Sequence, residues 1–390
     1  MSVDHSSDEN PFVFDEPLLD SQSLVGRQRE LEELLGALRA AGEAVIEGPH
    51  AYGKTSLVNV ALAALAADDD GLGIRVDCTG VLTVDDFARR LQEAYAQAHA
   101  FDSVEGMLVE RLEALSLRFS TSTSRSDERV QALLSVAEDV ASLADRGAAM
   151  CFDDYQDAIA VPAVVEAIRE ACARDVRRMG YAFVGPLRSE RGKIGGPAGW
   201  PDRPAIVTVG AIDPHRFAGE VSRRFADTGR DAGEGAELIG GVGAGHPQRT
   251  SLLAWQLWEL TAAGERTNVA SARMAIDLTL RRCTPEFNVR WNNLHSNERR
   301  VAVAIANEIA PQGTRAQRAT GLSGAGAAQR ALQGIKTSGV AQMRGEQVTL
   351  TDPLFAEWLR RRYSQIPVEP DWQTLRRQAQ LQRGGIRRGM

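Results

Sequence analysis

Within residues 44–56, Ala-Val-Ile-Glu-Gly-Pro-His-Ala-Tyr-Gly-Lys-Thr-Ser, four positions constrain the whole chain. Gly48, Gly53, Lys54 and Thr55 fill the pattern Gly-x-x-x-x-Gly-Lys-Ser/Thr of a phosphate-binding loop. Each residue type has a physical reason. A triphosphate needs backbone N–H groups turned inward around it, and glycine lets the chain turn tightly and approach closely. Lys54 supplies a point charge for the outer phosphates, and the Thr55 hydroxyl is suited to Mg²⁺. The flanks agree with this reading. Ala44-Val45-Ile46 is a short apolar run, as expected of a buried parallel strand. Residues 56–67 are rich in Ala and Leu and predict a helix whose positive end faces the loop. The candidate phosphate contacts are therefore Gly48, Pro49, His50, Ala51, Tyr52, Gly53, Lys54, Thr55 and Ser56.

A second constellation follows. Residues 147–156 read Gly-Ala-Ala-Met-Cys-Phe-Asp-Asp-Tyr-Gln, an apolar run ending in Asp153 and Asp154. This is the Walker B pattern, a central strand with carboxylates at its tip. The first, Asp153, is expected to help hold hydrated Mg²⁺, and the second, Asp154, to polarise an attacking water. Such a pair is common alone and informative behind a phosphate loop.

Between and beyond these motifs, strands expected at 74–78, 181–185 and 204–210 alternate with helices at 84–98, 104–119, 128–145 and 161–179. That alternation predicts a parallel, doubly wound α/β sheet. Helices at 214–226, 232–239 and 246–263 follow without strands and read as a helical lid. Helices at 297–308 and 325–337, a hairpin at 340–351 and a last helix at 354–363 read as a winged helix-turn-helix. The expected division is a flexible tail at 1–20 in which Phe12 and Phe14 dock, a P-loop α/β domain at 21–212, a lid at 213–287, a winged helix at 288–366 and a basic disordered tail at 367–390. A chain of 390 residues with 43% hydrophobic and 25% charged content suits such a multi-domain globular protein. No apolar run approaches membrane-spanning length, and residues 1–10 are polar and acidic, unlike a secretory signal. The four Cys are scattered, which with these features predicts a reduced, cytoplasmic protein.

Charge is uneven. Residues 281–390 carry 18 Lys and Arg against 8 Asp and Glu, or +10, which leaves −17 on the first 280 residues of a chain of net charge −7. A basic C-terminal third beside an acidic body predicts either a polyanion partner or neutralisation within the molecule.

In its motifs and their order the chain resembles the archaeal-type ATPases of the AAA+ and STAND classes over residues 23–363. Ser23-Leu-Val25-Gly26-Arg27-Gln-Arg-Glu-Leu resembles their N-terminal box, which in the family lies against the adenine. Gly48 to Thr55 matches Walker A, and Phe152-Asp153-Asp154-Tyr155-Gln156 resembles their Walker B. Gly245-His246-Pro247 resembles the lid motif, and Asp352-Pro353-Leu354-Phe355 the ending of the winged helix. The resemblance implies ATP and Mg²⁺ as cofactors, with Val25, Gly26, Arg27, His246 and Pro247 joining the nucleotide contacts, Thr55 and Asp153 at the metal, and Lys54 and Asp154 in catalysis. It departs in two places. Asp154 stands where the family usually has Glu, so hydrolysis is expected to be slow or partner-stimulated. The γ-phosphate sensor falls to Arg188 or Ser189.

The implied function is an ATP-driven switch, with hydrolysis reorienting lid and winged helix, acting on DNA in a transposition, replication or phage-defence setting. The alternative is a nucleotide-dependent scaffold or signalling switch with little hydrolysis and a protein-binding winged helix. His246 is read either as facing the phosphates or as a helix start. Arg188, Arg223 and Arg224 are candidate fingers toward a neighbouring subunit in a homo-oligomer. Arg315, Arg318, Arg330, Lys336 and Arg344, with Arg383, Arg387 and Arg388 of the tail, are the candidate DNA contacts.

Overall fold

The computed structural model describes residues 9–68, 71–100, 102–120, 126–174, 178–185 and 204–363. Arg188, Ser189, Arg383, Arg387 and Arg388 lie outside them. The chain forms two compact units, Met1–Thr279 and Leu280–Met390.

The first unit runs α1 (Gln28–Arg39), β1 (Glu43–Glu47), α2 (Lys54–Asp68), β2 (Leu72–Asp77), α3 (Val84–Ala96), β3 (His99–Ala100), α4 (Asp102–Ser120), α5 (Ser126–Ala144), β4 (Ala148–Asp153), α6 (Tyr155–Ala158), α7 (Pro162–Ala173), β5 (Met179–Gly185) and β6 (Ala205–Thr208). These strands make one sheet in the order β3-β2-β4-β5-β1-β6. All its pairings are parallel except that of β2 with β3. The expected mostly parallel α/β sheet is what forms, with β3 as an additional antiparallel edge.

Burial explains the layers. Ala44, Val45 and Ile46 of β1 are buried, as are all six residues of β4. Strands covered on both faces read as continuous apolar runs. One face carries α1 and α2, with Leu34, Leu38, Leu57, Leu62 and Leu65 in its core. The other carries α3, α5 and α7, with Phe87, Leu91, Leu134, Val140 and Ile168 in its core. Helix α7 stops at Ala173, and Met179 already pairs with Ala148 in the sheet, where sequence alone carried the helix to 179. Ladder pairing of Met179 beside a buried strand outweighs local helix propensity.

The lid belongs to this unit as α8 (Pro214–Asp227), α9 (Gly235–Gly243), α10 (Pro247–Glu259) and the start of α11 (Val269–Asn293). Asp213 caps α8, accepting from the His215 and Arg216 N–H groups, with Pro214 at the first helical position. Trp258 donates its indole N–H to Thr228 at 2.9 Å and lies 3.8 Å under the Arg230 guanidinium. Residues 10–14 of the expected tail lie on these helices. Phe12 is buried against Phe225, Phe14 meets Trp255 edge-on at 5.6 Å, and Asn10 donates to the Trp255 carbonyl.

Helix α11 carries the chain into the second unit, and the division falls inside it, ahead of the Asn288 start expected from sequence. Pro285 sits within this helix, and one residue earlier the Thr284 hydroxyl donates to the Leu280 carbonyl at 2.8 Å. The rest is α12 (Ser296–Ala306), α13 (Thr314–Thr320), α14 (Ala325–Thr337), the hairpin β7 (Ala341–Arg344) and β8 (Gln347–Leu350), and α15 (Pro353–Arg362). Helices followed by a two-stranded wing make the winged helix-turn-helix. Asp352 caps α15 through the Leu354 and Phe355 N–H groups and pairs with Arg290 at 3.3 Å. Phe355 then packs between Phe287 and Trp358, at 5.5 and 5.8 Å.

Candidate functional site

The phosphate loop is held by close packing. Gly48 is buried under the Val209 carbonyl, where a Cβ would collide with the oxygen. Gly53 takes a φ of +86°, and Ala51, at +63°, is a strained non-glycine in the same turn. The Lys54 ammonium curls back over the loop and donates to the Gly48 and Pro49 carbonyls, both at 2.9 Å. His50 is exposed, whereas Pro49 and Tyr52 are buried. Ser56, at the start of α2, accepts from the Leu18 N–H at 3.1 Å, which ties the N-terminal segment to the loop helix.

Walker A and Walker B adjoin at the strand tip, where the Thr55 side chain lies near enough to Asp153 to oppose the rise of its carboxyl pKa. Asp153 accepts from the Asp154 N–H at 3.1 Å and pairs with Arg75 of β2 at 3.2 Å. Burial pushes its carboxyl above the usual carboxylate range, with the Asp154 charge adding to that while Thr55 and Arg75 oppose it. Its contribution to stability is thus full in acid, below that range, and is lost as pH rises through the raised folded value. A hydroxyl and a carboxylate brought together at a helix N-terminus beside a glycine loop are hard oxygen donors of the kind Mg²⁺ takes alongside phosphate oxygens. The residues present fit a Mg²⁺–nucleotide.

Asp154 adopts φ +50° and ψ 41° as the chain leaves β4. Its carboxylate accepts from the Thr79 hydroxyl at 3.1 Å and from the Gln156 amide at 3.0 Å. It therefore sits at the strand tip, half-buried and oriented by two neutral donors.

The N-terminal box and the lid motif both converge on this loop. Gly26, at φ +68°, brings its turn against Ile212. The buried Arg27 guanidinium donates to the Tyr52 carbonyl at 3.3 Å, to the Gly210 carbonyl and to Glu30. Arg27 thereby clasps the phosphate loop to the end of the sheet, and Val25 lies half-buried in the turn before it. Gly245, at φ +79°, leaves no room for a side chain below the Ile212 carbonyl. His246, next to it, caps α10 with Pro247 at the first helical position, its Nδ1 accepting from the Arg249 N–H. The buried His246 ring packs on Tyr52 of the phosphate loop, with centroids 4.6 Å apart. His246 starts a helix, and its ring lies on the loop through Tyr52.

Arg224 does not extend toward a neighbour. It donates to the Pro11 and Ser23 carbonyls and pairs with Glu220 at 2.7 Å. Arg223 is half-exposed and pairs with Glu220 and Asp227, both at 2.6 Å. Sequence reasoning passed over Arg75, Thr79 and the buried Arg249 of α10. For Arg75 a signal was present: a cation inside an apolar strand, two residues before Asp77, needs a buried partner.

No protein-family model matches the sequence, and the search of curated proteins gives no match. Solved structures do match. The chain is similar to the Walker-type ATPase PABY2304 of Pyrococcus abyssi at 15% identity and a TM-score of 0.63, covering 88% of this chain and 98% of that one. It is similar to the ORC2 protein of Aeropyrum pernix in its ADPNP–ADP complexes at 14% identity and a TM-score of 0.57, covering 90% and 97%. The ADP form of that protein matches at 16% identity and a TM-score of 0.51, covering 92% and 96%. With its motifs in order, the loop and strand tip joined, and these likenesses across nearly the whole chain, this protein has the fold of the archaeal-type AAA+ P-loop ATPases.

Proposed function

We propose that this chain binds ATP with Mg²⁺ at the phosphate loop and hydrolyses it, and that the nucleotide sets the position of the lid helices. The Thr55–Asp153 contact carries the reading, because it joins the hydroxyl and the carboxylate that such a cofactor requires. The loop N–H groups and Lys54 would take the phosphates, Thr55 and Asp153 would hold Mg²⁺, and Asp154 would orient water. Mg²⁺ bound there would neutralise phosphate charge as it develops. The fold relative from Aeropyrum pernix holds ADPNP and ADP, which supports the same ligand class here. Tyr52 against His246 gives the loop a direct contact with α10, and α11 continues from the lid into the second unit. Nucleotide at the loop thus has a physical route to the lid. Phosphate release from Mg–ATP tests this: slow steady turnover that stops in EDTA is expected. Tight ATP binding with no turnover would leave the nucleotide-dependent scaffold.

For the second unit we propose contact with double-stranded DNA. Arg315, Arg318, Arg330 and Arg344 are exposed on α13, α14 and the wing of a unit whose sequence carries the basic excess. Helix α14 offers few base-reading side chains, so contact with the phosphate backbone is favoured over sequence readout. Anisotropy of the full chain with random duplex should show affinity falling about 100-fold between roughly 50 and 200 mM salt, the slope of about four phosphate contacts. Absence of binding at low salt, with and without ATP, would point to a protein partner for the winged helix.

A further inference from the structure

Strand β2 is buried at Leu72, Gly73, Ile74 and Val76. Arg75 interrupts it. A guanidinium in a covered sheet is unfavourable unless a charge partner awaits it, and a Val at that position would pack as well or better. In the parallel ladder Arg75 lies opposite Cys151 and Asp77 opposite Asp153, so Arg75 and Asp153 point to one side of the sheet. That side is the one α2 covers, since Cys151 belongs to the core shared with Leu57 and Leu62. The Thr55 end of α2 meets Asp153 there. Arg75 Nη1 reaches Asp153 Oδ2 at 3.2 Å, with the Arg side chain 27% and the Asp side chain 6% exposed.

We infer that Arg75 is a positioning residue of the proposed nucleotide site, fixing the Asp153 carboxylate and setting by charge repulsion how strongly that site holds Mg²⁺. The inference rests on the Mg²⁺–ATP reading above. Its physical content is a charge balance. Asp153 is the buried carboxylate at the Thr55 hydroxyl, and Arg75 beside it makes the pair neutral. A divalent cation arriving at Asp153 meets a fixed positive charge a few ångströms away, in surroundings that screen poorly. The Asp154 charge also acts on Asp153 and keeps the strand tip net negative, so Arg75 weakens the pull on a cation without cancelling it. The site is therefore ordered for Mg²⁺ yet holds it less tightly than the same carboxylates would without Arg75, so metal loading becomes a step that ionic conditions control.

The test is a Mg²⁺ titration of ATP binding by the full chain, followed by calorimetry, for wild type, Arg75→Gln, Arg75→Met and Arg75→Lys. Met keeps the apolar stem in the strand if Gln weakens folding. Removing the charge should lower the Mg²⁺ concentration for half-maximal effect about tenfold. ATP affinity in EDTA should stay close to wild type, and Arg75→Lys should restore the wild-type Mg²⁺ requirement. A merely structural Arg75 would lower the melting temperature and leave the Mg²⁺ requirement unmoved. An unmoved or raised requirement in both neutral variants overturns the inference while leaving the nucleotide reading standing. Failure of the wild type to bind ATP at any Mg²⁺ concentration overturns the nucleotide reading, and this inference with it.

Discussion

In Lys54→Ala, ATP binding is expected to fall by at least about 100-fold, or roughly 2.7 kcal/mol, measured by calorimetry with Mg²⁺ present. The reason lies in where the ammonium sits. Lys54 opens α2, and its side chain folds back so that Nζ is 2.9 Å from the Gly48 and Pro49 carbonyls. The charge is already over the concavity of the loop, held by two neutral acceptors. A phosphate entering the loop offers charged oxygens in their place, and a charge-assisted bond is about twice as strong as a neutral one. Ala removes that gain and leaves the loop with N–H groups and the helix dipole alone. The fold should tolerate the change, because the strand before the loop and the helix after it are anchored by Ile46, Leu57 and Leu62, none of which touches solvent appreciably. Unchanged affinity in Lys54→Ala, with an unchanged melting curve, would falsify the phosphate-loop assignment.

The parts that sequence disclosed share a property: their chemistry is local. Gly48 to Thr55 is a single turn whose residues act on each other, so spacing alone predicts the loop, and burial of β1 and α2 follows from apolar runs on either side. Asp153 was legible because an apolar run closing on a carboxylate pair behind a phosphate loop marks the tip of a buried strand. What escaped depends on partners distant in sequence. Arg75, a cation inside an apolar strand, signals a buried partner, but which one shows only when β4 is laid beside β2 in register. Arg27 resembles a nucleotide contact in its motif, yet its guanidinium finds the Tyr52 and Gly210 carbonyls, an arrangement only the closed fold creates. Strand β3 is two residues long, too short to have a period. Helix α13, Thr-Arg-Ala-Gln-Arg-Ala-Thr, has no apolar stripe, and Ala316 is its one buried residue among those described. Helix α11 carries Pro285, normally a stop signal, and no helix was expected across it.

The second large effect is expected at Asp154, where Asp154→Asn should lose about 10²- to 10⁴-fold in hydrolysis rate while ATP affinity stays near wild type. Asn suits the test because it matches Asp in shape and is tolerated at the left-handed φ of +50° that this residue holds. Its amide oxygen can still accept from Gln156, and the Thr79 hydroxyl, which also donates to Asp77 at 2.6 Å, can turn to accept from the new amide nitrogen. The network therefore persists and only the charge is lost. Binding and hydrolysis then separate: calorimetry reports the loop and Lys54, and phosphate release reports the carboxylate. Turnover at the wild-type rate in Asp154→Asn rules Asp154 out as the group that orients water. Asp154→Glu probes the same atom by reach. One added methylene carries the carboxylate roughly an ångström further from the strand tip, toward the position the longer family residue occupies. Faster phosphate release in Asp154→Glu is the expected outcome if reach limits the wild type. Slower release would assign the limit to the left-handed backbone, which accepts Asp more readily than Glu, and to the Thr79 and Gln156 contacts that hold the shorter carboxylate in place.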